Sequence, residues 1–250
     1  MTTKTATERR DFLRLTTAVG ASLILAGCQS ENSPASSNQV NKQTPSKKDE
    51  GEEVTATEDL MREHGILRRA LLVYTETAVK LRSKAAAVPP DALQKTAKLF
   101  RAFGEDYHEK KLEEGYIFPA VKKAGGQAAG LADILIAQHQ RGREITDYIL
   151  AVTAGAKLGT NGEQLARAFD SLVRMYRAHA AREDTIIFPA WKETLSPDQL
   201  DEMAEEFEDI EHEQFGEDGF ETAAKQIGEI EGALGLGDLA QFTAPPPPAL

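Results

Sequence analysis

Apolar residues recur along this chain at helical spacing, and no stretch alternates as a half-buried strand does. Leu60, Leu67, Leu71, Tyr74, Ala78 and Leu81 form the first stripe, which predicts a helix from about Glu58 to Ala87 with Thr57 as N-cap. His64 lies on that stripe. Pro89-Pro90-Asp91 ends this helix and caps a second, which runs to about Tyr116 and carries Leu93, Ala97, Phe100 and Tyr107. Gly125-Gly126 breaks the chain. A third helix spans about Ala129 to Ala154, with Leu131, Leu135, His139, Gly142 and Ile149 on one face. A fourth spans about Gly162 to Ile187, with Leu165, Phe169, Leu172, Tyr176, His179, Glu183 and Ile186 in register. Four long helices with short connections predict an all-α fold, an up-down four-helix bundle. Additional C-terminal helices follow. One opens at Ser196-Pro197, a cap followed by proline at the first helical position, and contains His212. Another runs from Phe220 to Ala233.

The pattern repeats. Helix two ends in Glu113-Glu114 and then Phe118-Pro119-Ala120; helix four ends in Glu183-Asp184 and then Phe188-Pro189-Ala190, 70 residues later. His64 and His139 are 75 apart, each N-terminal to its partner helix. The chain reads as two helical hairpins related by an approximate two-fold, with each Phe-Pro as a helix terminator.

Outside the helices the chain changes character. Two arginines, Arg9 and Arg10, precede an apolar run that ends Leu25-Ala26-Gly27-Cys28. A basic segment before a short apolar one reads as an export signal over residues 1–27. It resembles a twin-arginine signal, and Leu25 to Cys28 resembles a bacterial lipobox whose cysteine is lipidated. Residues 28–55 are polar and read as a disordered tether. The bundle then occupies 56–195, the helical extension 196–242 and a proline-rich tail 243–250. Cys28 is the sole cysteine, which excludes an intrachain disulfide. Losing residues 1–27 removes four basic and two acidic residues from 29 and 40, leaving a net charge of −13. That charge disfavours nucleic acid and an anionic membrane surface as partners. The expected location is extracytoplasmic, periplasmic, with a lipid anchor at Cys28 as the membrane attachment.

The candidate chemistry lies in the histidines. A single histidine on an apolar helix face is usually a core residue. Here His64, His108, His139 and His179 occupy corresponding places in four helices, and unpaired buried imidazoles and carboxylates are costly. His179 and Glu183 are four apart and share a helix face. Glu113 is five after His108, so a regular helix turns it away; a one-residue π-bulge restores the geometry. Glu109 is held as an additional ligand candidate. Imidazole with carboxylate suits iron or manganese, and carboxylates bridge ion pairs. Two-fold symmetry with ligands on each half suggests two metals. Tyr107 and Tyr176 flank the histidines, and Trp191 reads as a packing anchor.

The helix order, the single histidine on helices one and three, the His-plus-Glu helices two and four, and the Phe-Pro units together resemble the hemerythrin-like (HHE cation-binding) family. The resemblance covers roughly Glu58 to Leu195. It implies a non-haem diiron cofactor that binds or senses dioxygen or a related small oxidant such as nitric oxide or peroxide. Oxygen-carrying hemerythrins place two histidines four apart on the third helix; here the residue four after His139 is Arg143, and His212 is expected to supply the missing ligand. Five imidazoles, two bridging carboxylates and a solvent-derived bridge then fill all but one of about twelve coordination positions. Two other functions fit the same residues: a diiron oxidase, ferroxidase or peroxidase, and a structural or partner-binding bundle. A sensing role would need a protein partner, which the sequence does not identify.

Overall fold

Six long helices among the described residues begin and end where local chemistry dictates. The computed structural model describes residues 54–83, 88–155, 158, 161–216 and 219–248. The expected signal, Cys28 and nearly all of the tether lie outside the described residues, as do residues 84–87 of the first expected helix. Among the described residues no helix is long and apolar enough to cross a membrane.

Helix α1, Ala56–Ser83, starts two residues before the expected point. Its cap is Thr55, whose Oγ1 accepts the Glu58 amide at 3.3 Å, rather than Thr57, which is buried inside the first turn. Glu58 and Asp59 in the first turn and Lys80 and Arg82 in the last oppose the ends of the helix dipole. Helix α2 is one rod in three segments: α-helical Pro90–Leu99, π-helical Phe100–Ile117 and α-helical Phe118–Ala124. Pro89 is its N-cap, with no side-chain cap hydrogen bond. Helix α3, Gly126–Thr153, follows Gly125, whose φ of 81° is open to glycine without strain. Helix α4 is again composite, with Gly162–Arg182, a π segment Glu183–Ile187 and Phe188–Lys192.

Neither Phe-Pro unit terminates a helix, contrary to the expectation. In both rods the π ladder ends just before the proline: the Phe118 amide reaches Glu113 O and the Phe188 amide reaches Glu183 O. Where a π ladder returns to α spacing, one rung is skipped, so a residue without an N–H costs little there. Each proline sits in the first turn of the α segment that follows, where its fixed φ is already helical.

Cross-helix pairs set the directions. Glu63 meets His108 while Leu67 meets Gly104, so α1 and α2 are antiparallel. Lys122 meets Asp133, Glu114 meets His139 and Arg101 meets Asp147, so α2 and α3 are antiparallel. His64 meets Asp184 while Arg82 meets Asp170, which fixes α1 against α4, the most extensive packing in the bundle. His139 lies against His179 and Gly142 against Tyr176, which fixes α3 against α4. The result is the expected up-down bundle. Its aromatic core includes Tyr74 stacked on Phe169 at 4.6 Å and Phe100 edge-on to Tyr176 at 4.9 Å.

Helices α5, Pro197–Phe215, and α6, Gly219–Leu234, lie against the bundle as a hairpin. The α5 capping box is complete, Ser196 taking the Gln199 amide and Gln199 the Ser196 amide. Trp191 at the end of α4 stacks on Phe207 of α5 at 5.6 Å, the packing anchor the sequence suggested. Arg69 of α1 makes a bidentate pair with Glu231 of α6 at 3.0 and 2.5 Å. A 3₁₀ turn, Leu239–Phe242, precedes a segment over 243–248 without regular structure.

Candidate metal centre

Four imidazoles and two carboxylates converge in the middle of the bundle. His64, His108, His139, His179, Glu113 and Glu183 are each at most 3 % exposed. The π segment of α2 accomplishes what regular winding would not. It widens the turn between His108 and Glu113, so residues five apart face one cavity. His179 and Glu183 achieve the same with four-residue spacing at the end of the α segment of α4.

The two carboxylates straddle two groups of nitrogens. Glu113 Oε1 lies 3.3 Å from His108 Nε2 and its Oε2 lies 3.2 Å from His139 Nε2. Glu183 Oε2 lies 3.5 Å from His64 Nε2, and its Oε1 lies 2.9 Å from His179 Nε2 and 3.8 Å from His139 Nε2. One subsite is thus His64, His108 and one oxygen from each glutamate; the other is His139, His179 and the remaining two oxygens. These atoms are near one another but not aimed as hydrogen bonds. Both oxygens of each glutamate and His108 Nε2 are buried with no hydrogen-bond partner. His139 Nε2 and His179 Nε2 face each other at 3.0 Å. Convergent buried lone pairs of this kind are costly unless a cation sits among them. The donor set therefore fits a metal pair, with nitrogen and oxygen ligands and no sulfur.

The other ring nitrogen of every histidine is engaged. Asp184 Oδ1 is 2.6 Å from His64 Nδ1, Glu63 Oε2 is 2.6 Å from His108 Nδ1, Glu114 Oε1 is 2.9 Å from His139 Nδ1, and Gln138 Oε1 is 2.9 Å from His179 Nδ1. Each acceptor draws the Nδ1 proton and leaves the Nε2 lone pair pointing inward. The four acceptors obey the two-fold of the sequence. Glu114 and Asp184 are the second residues of the two acidic doublets, and Glu63 and Gln138 each precede the histidine of α1 or α3. Phe118 stacks on His139 at 5.5 Å and Phe188 on His64 at 5.4 Å, the same contact in both halves.

Electrostatics are those of an interlocked ionic cluster. Burial pulls the His108 imidazole down, but Glu113 and Glu63 outweigh it and hold the group well above its usual range. His139 behaves alike under Glu109, Glu113, Glu114 and Glu183. Burial pushes Glu113 up, yet His108 and His139 hold it well below the usual carboxylate range. Glu183 is also lowered, burial and the Glu113 charge being outweighed by His179 and His139.

Two expected ligands are not delivered to the centre. His212 is exposed on α5, because Phe207 and Glu211 are the residues that helix turns inward and the next position points about 100° away. Four ligand atoms then cluster at the His139/His179 subsite and three, from His64, His108 and Glu113, at the other, with Glu183 Oε2 3.5 Å from His64 Nε2. Glu109 is buried at the cavity wall, but its carboxylate accepts the Tyr176 hydroxyl and lies 3.4 Å from Arg143 Nη2. Its nearer approach to His139 is to Nδ1, at 4.0 Å, on the side away from the subsites. Arg143 also donates to Glu114 Oε1 at 2.6 Å. Arg143, four after His139 where oxygen-carrying hemerythrins place a second histidine, thus holds two carboxylates in place.

The cavity at the centre is small, about 10 Å³, and is walled by Leu67, Leu71 and Ala180 beside Arg68, Glu109 and Tyr176. Sequence reasoning did not identify the Nδ1 acceptors. The repeated acidic doublet, Glu113-Glu114 against Glu183-Asp184, was the signal that pointed to two of them.

Comparison with known proteins agrees with this geometry. The Hemerythrin HHE cation binding domain matches residues 55–191. Uncharacterized proteins of Mycobacterium bovis and of two Mycobacterium tuberculosis strains are each 40 % identical over 241 residues, covering 95 % of this chain and 91 % of theirs. No solved structure matches. With its helical bundle and its buried His/Glu cation site, the chain belongs to the hemerythrin HHE cation-binding domain family.

Proposed function

We propose that the chain holds a pair of non-haem irons and uses them to bind or sense dioxygen or a related small oxidant, nitric oxide and peroxide included. The observation that carries this reading is the set of four unpartnered oxygens on Glu113 and Glu183, each carboxylate spanning the two pairs of imidazoles. Bound there, paired irons supply reversible one-electron changes and exchangeable positions for a small ligand.

The chain's own residues define what can arrive. Asp184, Glu63, Glu114 and Gln138 hold the imidazoles in the ligating tautomer. Leu67, Leu71 and Ala180 keep the cavity dry on one side. A space of about 10 Å³ is on the scale of a single water and so favours a very small ligand over an organic one. Tyr176 keeps its proton: burial raises the phenol well above its usual range and the Glu109 carboxylate raises it further. It is a fixed donor to Glu109 and not a base. The larger cavity of about 520 Å³, between α2 and α6, has none of the six convergent residues in its lining, so it does not argue for an organic substrate at the centre.

The test uses the full chain loaded with ferrous iron without oxygen, then exposed to measured amounts of dioxygen or nitric oxide. Uptake of about one small molecule per iron pair, reversed on its removal, supports binding or sensing. Continuous consumption of ferrous iron or peroxide beyond two equivalents per chain places the same centre among oxidases instead. The proposal extends to location: the chain is exported and anchored through a lipidated Cys28, with its bundle outside the cytoplasm. Cys28→Ser is then expected to move the protein from the membrane fraction to the soluble fraction, and unchanged membrane association contradicts the anchor.

A further inference from the structure

Among the four acceptors that pin the imidazoles, the two halves differ in charge at one position. Glu63 precedes His64 and pins His108; Gln138 precedes His139 and pins His179. A carboxylate in one half faces a neutral amide in the other. What accompanies the carboxylate is Tyr107 of α2 and, behind it, Glu211 from beyond the segment that matches the family. Tyr107 donates to Glu63 Oε1 at 2.9 Å, and its hydroxyl also lies 3.4 Å from Glu211 Oε2 on α5. Glu211 Oε1 accepts the Phe220 amide at the start of α6, at 2.8 Å. Gly219 makes this approach possible, since a Cβ there would stand 2.8 Å from Glu211 Cγ and Oε1. Phe215 packs edge-on against the Tyr107 ring at 5.3 Å.

A line of contacts therefore runs from the first turn of α6 to one imidazole of the centre: Phe220 N–H, Glu211, Tyr107, Glu63, His108. Glu63 and Glu211 are 1 % and 2 % exposed, and the Tyr107 hydroxyl and Phe220 amide are among the donors that lower the cost of burying them. The Tyr107 hydroxyl has one proton for two carboxylates. The shorter contact, 2.9 Å against 3.4 Å, gives that proton to Glu63, while the Phe220 amide donates to the other oxygen of Glu211.

We infer that Glu211 and Tyr107 are positioning residues for the His64/His108 subsite, and that the hairpin through them makes the two subsites unequal. This rests on the proposed paired-metal reading. Glu211 and Tyr107 touch no metal; they act by holding Glu63, which holds His108. Linkage is reciprocal, so occupation of that subsite steadies the first turn of α6 as α5 and α6 steady the subsite.

The test is a titration of the full-length, metal-free protein with cobalt(II), read by its d–d absorbance, for the wild type, Tyr107→Phe and Glu211→Gln. Gln138→Ala serves as the control for the other half. In the wild type two binding steps are expected. Tyr107→Phe and Glu211→Gln are expected to weaken one step about 10- to 100-fold and leave the other within about two-fold, the range seen when the partner of a ligating histidine is removed. Gln138→Ala weakens the opposite step. Cobalt is also expected to slow hydrogen exchange of the first turn of α6 in the wild type and not in Tyr107→Phe, a difference that general loosening does not produce. Equal weakening of both steps, or variants that match a two-step wild type, overturns the inference. A folded wild type that binds no cobalt overturns the paired-metal reading itself. Glu211→Gln keeps the side-chain volume, so it decides the matter if Tyr107→Phe proves unfolded by circular dichroism.

Discussion

Glu113 and Glu183 each serve two groups of ligands, so each is worth more to the centre than any histidine. Glu113→Gln or Glu183→Gln replaces one oxygen with an amide that donates toward the imidazoles it faced. Metal retained after equilibrium dialysis is expected to fall from two ions per chain to one or fewer. Glu109→Gln is expected to keep two, because Tyr176 and Arg143 hold that carboxylate off the centre. His212→Ala is also expected to keep two, since that residue is exposed on α5. Loss of an ion in either of the last two variants contradicts the ligand set. At this scale much was legible. His64, His139 and His179 each fell on an apolar stripe, and their burial follows from it. His212 was misread because the acidic run around it hides a narrow inward face of Phe207 and Glu211. The Nδ1 acceptors Glu63 and Gln138 were not legible, because a residue beside a ligand in sequence points off its face, and here each reaches a histidine on a neighbouring helix.

Among the elements, the π segment of α2 and the close contact of α3 with α4 shape the site most. The five-residue spacing of His108 and Glu113 signalled a widened turn, but its extent over Phe100–Ile117 and the second π segment at Glu183–Ile187 were not signalled. Both Phe-Pro units looked like terminators because proline normally ends a helix; the skipped rung of a π ladder removes that penalty. The α3–α4 contact depends on Gly142. A Cβ there would meet Tyr176 Oη at 2.4 Å and its Cε2 at 3.0 Å, and the buried ring has Phe100 edge-on behind it. Alanine in a helix gains about 0.5–1 kcal/mol over glycine, while overpacking a core costs about 1–3 kcal/mol. The clash wins, and Gly142→Ala is expected to lower the Tm of the metal-free protein by several degrees. A raised Tm would mean that Tyr176 moves aside without loss.

Over the whole molecule, stability is tied to the cation and to pH. A ligand that binds only the folded chain stabilises it in proportion to the logarithm of its excess, so metal removal by a chelator is expected to lower Tm, reversibly on reloading. In the metal-free protein one buried carboxyl outside the ligand set adds a pH response of its own. Burial, with the charge of Glu109 adding to it, pushes Glu105 up to about 7 from 4.5, only partly offset by Thr146 and Arg101. The folded chain therefore holds this proton more tightly than the unfolded one, and stability falls as pH rises from about 4.5 through 7, by at most about 3 kcal/mol. Relative to Glu105→Gln, the wild type is expected to lose stability between pH 5 and pH 8 in urea titrations. A difference that is constant with pH contradicts the account. The bundle itself was readable from the apolar period alone, but the extension was read only as two added helices. That its Glu211 reaches the Tyr107–Glu63 pair depends on how the hairpin docks, which no local pattern encodes.

The measurement that bears most directly on the central claim is the iron content and magnetic state of the full-length protein produced in iron-replete cells, by metal analysis with Mössbauer spectroscopy. Glu113 and Glu183 bridging two subsites predict two irons per chain, magnetically coupled through shared ligands. A single isolated iron, or a folded helical protein that takes up none, would contradict the paired centre.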